Sequence, residues 1–158
     1  SESRGLGDVY KRQAVDPDKK MLELNTFENK VQGFAEDLPF EDNSFDNVFC
    51  SFVWRNVSDT NKALHEVYRV LRPGGKFVLL DMTRPKNPFL RVLHKIGTFT
   101  VLHIIGLVTL NLKEYRFLYN SLDFYPQPEE HLNKDNFIDL KIERMGLFNF
   151  VYLAVFTK

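Results

Sequence analysis

The chain has 158 residues, 44% hydrophobic and 27% charged, with 21 basic residues balanced by 21 acidic ones. This length suits one domain with a real core, and the composition excludes a disordered or low-complexity protein. Zero net charge leaves no broad basic face for nucleic acid, and a lone cysteine, Cys50, excludes both a disulfide framework and a cysteine-based metal site.

The first thirteen residues, SESRGLGDVYKRQ, lack an initiator Met, any helical or strand periodicity, and the ordered regions of a signal peptide. They read as a non-native or disordered leader, and the cytoplasm is the expected compartment. From Ala14 strand and helix signals alternate, which predicts an α/β fold with a mostly parallel sheet. Ala14-Val15 reads as the end of a strand. Asp16-Pro17 then reads as an N-cap and first helical residue, with Met21, Leu22 and Leu24 as apolar contacts. Lys30 to Phe34 is a second short strand.

AEDLPFEDNSFD, Ala35 to Asp46, is a turn-rich loop before a strand over Asn47 to Val53. That strand holds Cys50 as a small buried hydrophobe and ends in a polar cluster, Trp54-Arg55-Asn56. A helix from about Thr60 to Leu71 follows, with Ala63, Leu64, Val67 and Leu71 on one face and Ser58 or Asp59 as cap. RPGG, Arg72 to Gly75, ends it. The nearly continuous apolar run Lys76 to Met82 predicts a strand covered on both faces.

Beyond Asp81 the texture changes. RPKNPFLRVLHK is basic and broken by prolines, and it leads into the apolar stretch Ile96 to Leu110. That stretch is shorter than the about 20 residues of a spanning helix, so it predicts one or two helices and no transmembrane segment. Leu112 to Pro126 reads as helical with Leu118 and Leu122 on one face, and Glu129 to Asn136 as a short helix or loop. IDLKIERM and FVYLAVFTK, separated by Gly146 to Asn149, read as a terminal antiparallel hairpin. Residues 84–126 form a natural lid. Its basic start, Arg84, Lys86, Arg91 and Lys95, followed by apolar residues, suits contact with anionic lipid or a plain buried helix. The four histidines are scattered and form no metal pair; His103 is either a pocket base or a core histidine.

Ligands of open α/β sheets bind beyond the carboxyl ends of the strands, which singles out Asp16, Ala35-Glu36 and Ser51 to Asn56. A carboxylate at such a position accepts both hydroxyls of a ribose, a property shared by several nucleotide cofactors.

AVDPDKKML, AEDLPFEDNSFDNVFCSFVWRNVSD and ALHEVYRVLRPGGKFVLLDMTRP resemble successive motifs of the class I S-adenosylmethionine-dependent methyltransferases. RNVSD and EYRFLYNSLDFYP narrow the likeness to the ubiquinone/menaquinone biosynthesis C-methyltransferases. The resemblance implies a Rossmann-like fold with S-adenosyl-L-methionine as cofactor and a polyprenylated quinol or other small molecule as acceptor. It sets Asp16 on the ribose hydroxyls, Phe34 and Ala35 at the adenine edge, and Ser51 against the cofactor. Arg55 and Asn56 face the acceptor as catalytic residues, and Tyr115 and Arg116 bind it from the lid. Peripheral membrane contact and homo-oligomerisation are compatible with this reading.

Alternatives stand beside these assignments: helix capping for Asp16, a tolerated small residue for Ser51, an ion pair of Arg55 with Asp59 or Glu66, and helix packing for Tyr115 and Arg116. Relatives often carry Asp or Asn where Phe34 stands. The family's glycine-rich first motif and its strand, which lies centrally between those ending at Asp16 and Ser51, are absent. The chain therefore reads as a partial domain over 14–158 with weak or no cofactor binding of its own. The competing functions are another small-molecule methyltransferase, a nicotinamide enzyme, which would show G-x-G-x-x-G upstream, and a non-catalytic methyltransferase-like subunit.

Overall fold

The computed structural model describes residues 12–134 and 136–158. The expected leader lies outside the described residues as far as residue 11. Its boundary at residue 13 moves, because Gln13 already belongs to strand β1, Gln13–Asp16, and pairs with Asn29. β1 runs parallel to β2, Asn29–Gln32, and the two form a sheet of their own. Between them lies helix α1, Lys19–Leu24. Its N-cap is Asp18 and not the expected Asp16, since the Asp18 side chain accepts from the backbone N–H of Lys20. Asp16 instead accepts from the N–H of Asp18 at 2.8 Å, a local turn that ends β1.

The second sheet has four strands in the order β3-β4-β6-β5. β3 is Phe45–Ser51 and β4 is Leu71–Met82, paired in parallel; β5, Asp139–Met145, and β6, Val151–Thr157, complete it with antiparallel pairings. The expected terminal hairpin is present, and Gly146 makes its turn at φ 79°. Helix α2, Thr60–Val70, is capped by Asp59, whose side chain accepts from the N–H of Lys62. RPGG does end this helix, and it then forms an irregularity at the start of β4 between the Phe45–Leu71 and Asn47–Lys76 pairings. Gly74 sits at φ 80°. A Cβ on Gly75 would lie 2.8 Å from the Arg72 carbonyl oxygen and 2.9 Å from that of Asp46.

The core lies on one face of the larger sheet. Ala63, Leu64 and Val67 of α2, with Trp54, Leu132 and Phe137, pack on Phe77, Leu79, Tyr152, Ala154 and Phe156. β4 alternates: Phe77, Leu79 and Asp81 are buried, while Val78, Leu80 and Met82 are half-covered. The sequence reading of a strand covered on both faces thus holds for one face, because no described helix lies across the other side chains.

The turn-rich loop is held by α2. Glu66 accepts from the N–H of Leu38, and Arg69 donates to the carbonyls of Leu38 and Phe40 and to Asp42. Glu36 accepts from the N–H groups of Ser58 and Asp59, tying the end of the small sheet to the entrance of α2.

Helix α3 runs unbroken from Pro88 to Val108. Asn87 caps it by accepting from the N–H groups of Phe89 and Leu90, and Pro88 suits the first turn, so the basic, proline-containing segment is helical as well. By length and composition α3 reaches membrane-spanning size, which overturns the expectation that no segment does. It ends in a Schellman motif, with Asn111 N–H on the Gly106 carbonyl and Leu110 N–H on that of Leu107. α4, Leu112–Phe124, returns antiparallel, with Leu112 and Tyr115 against Gly106 and Tyr119 against Phe99.

Arg84 pins this hairpin to the sheet. Expected on a basic surface, it is fully buried and donates to Asp123, Thr98 Oγ1 and the Tyr119 carbonyl. His94 accepts from it at Nδ1, and burial followed by the Arg84 charge lowers the His94 pKa, which keeps the ring neutral. Helix α5, Pro128–His131, is fixed by Glu129, which pairs with Arg144 at 2.7 Å and Lys86 at 3.2 Å.

Gly75→Ala is expected to destabilise the protein by about 1–3 kcal/mol, read as a lower urea midpoint, because two backbone oxygens must move apart. Arg144 holds the Glu129 carboxyl down at about 2, against an ordinary value of 4.5. Its folded-state pKa lies below its unfolded one, so the pair stabilises the fold above about pH 4.5 and the contribution disappears as pH falls through about 2. Glu129→Gln should therefore be less stable than the parent at pH 7, with the difference shrinking below pH 4.5 in urea titrations.

Candidate functional site

β1 and β3 each offer an unpaired edge: among the described residues, no strand is hydrogen-bonded between them. Past the carboxyl ends of these strands stand the residues that the sequence singled out. Asp16 is half-buried at the end of β1, with one carboxylate oxygen used in its local turn. Phe34 lies just past the end of β2, 63% exposed, in a bridge with Asp37. Ala35 packs against the core, and Ser51 is exposed at the last position of β3.

The chain leaves β3 under strain. Phe52 adopts φ 58°, a left-handed conformation that costs an L-residue about 1–2 kcal/mol, and its N–H donates to the Leu80 carbonyl. This reversal starts the single 3-10 turn Trp54–Asn56. Trp54 goes into the core, Arg55 turns under the sheet, and Asn56 is exposed.

Arg55 pairs neither with Asp59, which caps α2, nor with Glu66, which holds Arg69 and Leu38. Its guanidinium bonds instead to the carboxylate of Asp81, and its backbone N–H donates to the same carboxylate at 3.3 Å. The Asp81 side chain is fully buried and also accepts from the N–H of Met82. Arg55 Nε and Trp54 Nε1 are buried without a hydrogen-bond partner among the described residues. Cys50 is pushed up to about 12 by burial and then by Asp81, so it is an inert thiol.

Arg55 and Asn56 line a cleft of about 400 Å³ whose far wall is Phe117, Ser121, Phe124 and Tyr125. Tyr115 and Arg116 are not in it. Tyr115 lies against Gly106 of α3 and Arg116 is exposed. At about 100° per residue Tyr115 points to the opposite side of α4 from Phe117, and Ser121 and Phe124 repeat the Phe117 direction at i+4 and i+7. That face was readable from the spacing once α4's packing side is known. His103 is also outside the cleft, with Nδ1 at the Phe99 carbonyl and its ring on that of Phe99.

Tyr125 and His131 form a pair that sequence reasoning passed over. The Tyr125 oxygen is 2.7 Å from His131 Nε2, and His131 Nδ1 is 2.8 Å from the Gln127 carbonyl. A carbonyl only accepts, so Nδ1 carries the proton and Nε2 accepts from the Tyr125 hydroxyl. Burial lowers the His131 pKa. Their separation of six residues across a turn gives no periodic signal.

The larger sheet, with its parallel β3-β4 pair and antiparallel closing strands, defines the Rossmann-like class I methyltransferase fold. A solved SAM-dependent methyltransferase from Thermotoga maritima superposes on 91% of the chain and 72% of its own length, with a TM-score of 0.64 at 21% identity. Residues 11–146 match the model of the ubiE/COQ5 methyltransferase family, and the chain belongs to that family. It is 41% identical over 128 residues to the ubiquinone/menaquinone biosynthesis C-methyltransferase UbiE of Rickettsia bellii, and 39% to that of Rickettsia prowazekii. These matches cover 79% of the chain and 52% of each relative, so the chain spans about half the length of the curated relatives it matches.

Asp81→Asn keeps the shape but leaves Arg55 buried beside a neutral amide. It should cost about 3–5 kcal/mol in urea unfolding, and Arg55→Met in the same chain should recover much of that loss.

Proposed function

We propose that this chain supplies the acceptor side and part of the cofactor side of an S-adenosylmethionine-dependent methyltransferase that methylates a ring carbon of a quinol. The observation that carries the reading is the placement of Asp16 and Ser51 at the ends of two strands with open edges, with Arg55 and Asn56 one turn beyond Ser51.

The donor set suits the cofactor's nucleoside end. Asp16 keeps one carboxylate oxygen without a protein partner among the described residues, and the exposed Phe34 ring beyond the same pair of strands offers a surface for a flat base. S-adenosylmethionine supplies an electrophilic methyl on a sulfonium. Everything else falls to the protein: to align the acceptor carbon, stabilise an ionised ring hydroxyl and receive a proton.

Arg55 meets the second requirement as an oriented donor. Asp81 fixes its guanidinium, and the same residue lines the cleft. As a guanidinium it stays protonated and cannot take the proton. The Tyr125–His131 pair fits that task. Burial pushes the Tyr125 hydroxyl well above its ordinary pKa, so it remains a phenol; neutral His131 Nε2 behind it is an acceptor. Asn56, exposed on the same wall, suits a second ring oxygen, and Phe117 and Phe124 suit an apolar substituent.

Calorimetry with S-adenosylmethionine on a full-length version of the protein tests this reading. The expected result is saturable binding, weakened about tenfold or more by Asp16→Ala, with methyl incorporation into a quinol seen by mass spectrometry. No binding at millimolar ligand overturns it.

A further inference from the structure

We propose that the α3–α4 hairpin docks lengthwise in the boundary between headgroups and acyl chains of an anionic lipid bilayer.

Three independent features lead there. Of the 21 residues of α3 only His94 and Gly106 are buried. They belong to one stripe with Thr98 and Leu102, at four-residue steps, that faces the protein. Phe89, Val92, Ile96, Phe99, Val101 and Ile104 are exposed around about half of the helix circumference. The face of one protein partner covers a narrower arc; a bilayer solvates several sides of a helix at once.

The second feature is the tip. Leu110 occupies the left-handed position of the Schellman motif at φ 57°, where glycine is the usual residue, and it is 90% exposed. An apolar side chain held there against its backbone preference makes no packing contact that accounts for it. With Leu107 and Val108 it forms an apolar knob at the end of the hairpin.

Charge is the third. No Asp or Glu occurs between Asp81 and Glu114, so α3 carries nothing that repels phosphate headgroups. Arg84 is buried, and Lys86 and Lys95 are paired with Glu129 and Asp123. Arg91 and Lys113, near opposite ends of α3, are exposed and complement an anionic surface.

α4 joins this surface to the cleft, because Phe117 and Phe124 are exposed on it and also line the cleft wall. A lipid-soluble acceptor would thus pass from the bilayer to Arg55 along α4. That route rests on the proposed function; docking does not.

Vesicle sedimentation of the 158-residue chain tests docking without cofactor or acceptor, so its failure leaves the methyl-transfer reading standing, and the reverse also holds. Binding is expected to phosphatidylcholine vesicles containing phosphatidylglycerol, and more weakly to phosphatidylcholine alone. Val108→Glu with Leu110→Glu should weaken it about tenfold or more. Arg91→Gln with Lys113→Gln should lose about fivefold per cation on the anionic vesicles only. Leu110→Gly separates docking from folding: it removes the knob and the backbone strain together, so vesicle affinity should fall while Tm does not. Absence of binding to the anionic vesicles, or binding indifferent to the tip variants, overturns the proposal. So does a dimer in sedimentation equilibrium that Val108→Glu dissociates, which would make a second copy of the chain the occupant.

Discussion

At the end of strand β4 stand two buried charges of opposite sign, Asp81 within it and Arg84 two residues past it. A charge removed from water must be met by a partner, and each residue finds a different one. Asp81 takes Arg55 from the turn after β3; Arg84 takes Asp123 from the end of α4. These two pairs fix the turn and the helical hairpin to the same strand end, and the cleft is the space left between them. Its two walls are held to one reference, which is the condition for aligning a bound acceptor.

The polar end of an otherwise apolar strand follows from this arrangement. β3 must stop at Ser51 because Phe52 turns the chain through a left-handed conformation, which sends Trp54 into the core and Arg55 towards Asp81. Glu36 then holds the following Ser58 and Asp59 N–H groups, so the end of the small sheet and the start of α2 move together. Strain at Phe52 is offset by the core contacts of Trp54 and by a backbone hydrogen bond to β4. Local backbone cost and tertiary gain meet at the place where the chemistry is proposed.

Periodicity and punctuation carried most of the fold. The alternating runs of β5 and β6, the buried face of α2 and the RPGG stop are local signals, each where the sequence puts it, and of the two offered caps, Ser58 and Asp59, the structure uses Asp59. What was illegible depends on partners distant in sequence. Arg84 reads as one more cation of a basic run because Asp123, Thr98 and Tyr119 are separated from it by 14 to 39 residues. Arg55 has nearer acids in Asp59 and Glu66, yet both have other work, and Asp81 is nearest only in the fold. The lid residues Tyr115 and Arg116 failed for a simpler reason: helical spacing gives a face but not its azimuth, and Gly106 decides it by drawing Tyr115 against α3.

Two kinds of surface remain uncovered, and they differ in what can cover them. The hairpin satisfies its own backbone, since α3 and α4 are helical throughout and their connection closes through Gly106 and Leu107 carbonyls. The surface left over along α3 is dominated by apolar side chains, and hydrocarbon can take those without loss of a hydrogen bond. The open edges of β1 and β3 are the reverse. Each presents a row of peptide N–H and C=O groups that no described strand engages. Lipid cannot satisfy such an edge, and a helix packed on a sheet face does not reach it. Another strand can, and the ends of β1 and β3 beside those edges carry Asp16 and Ser51, the two residues that the proposed function sets against the cofactor.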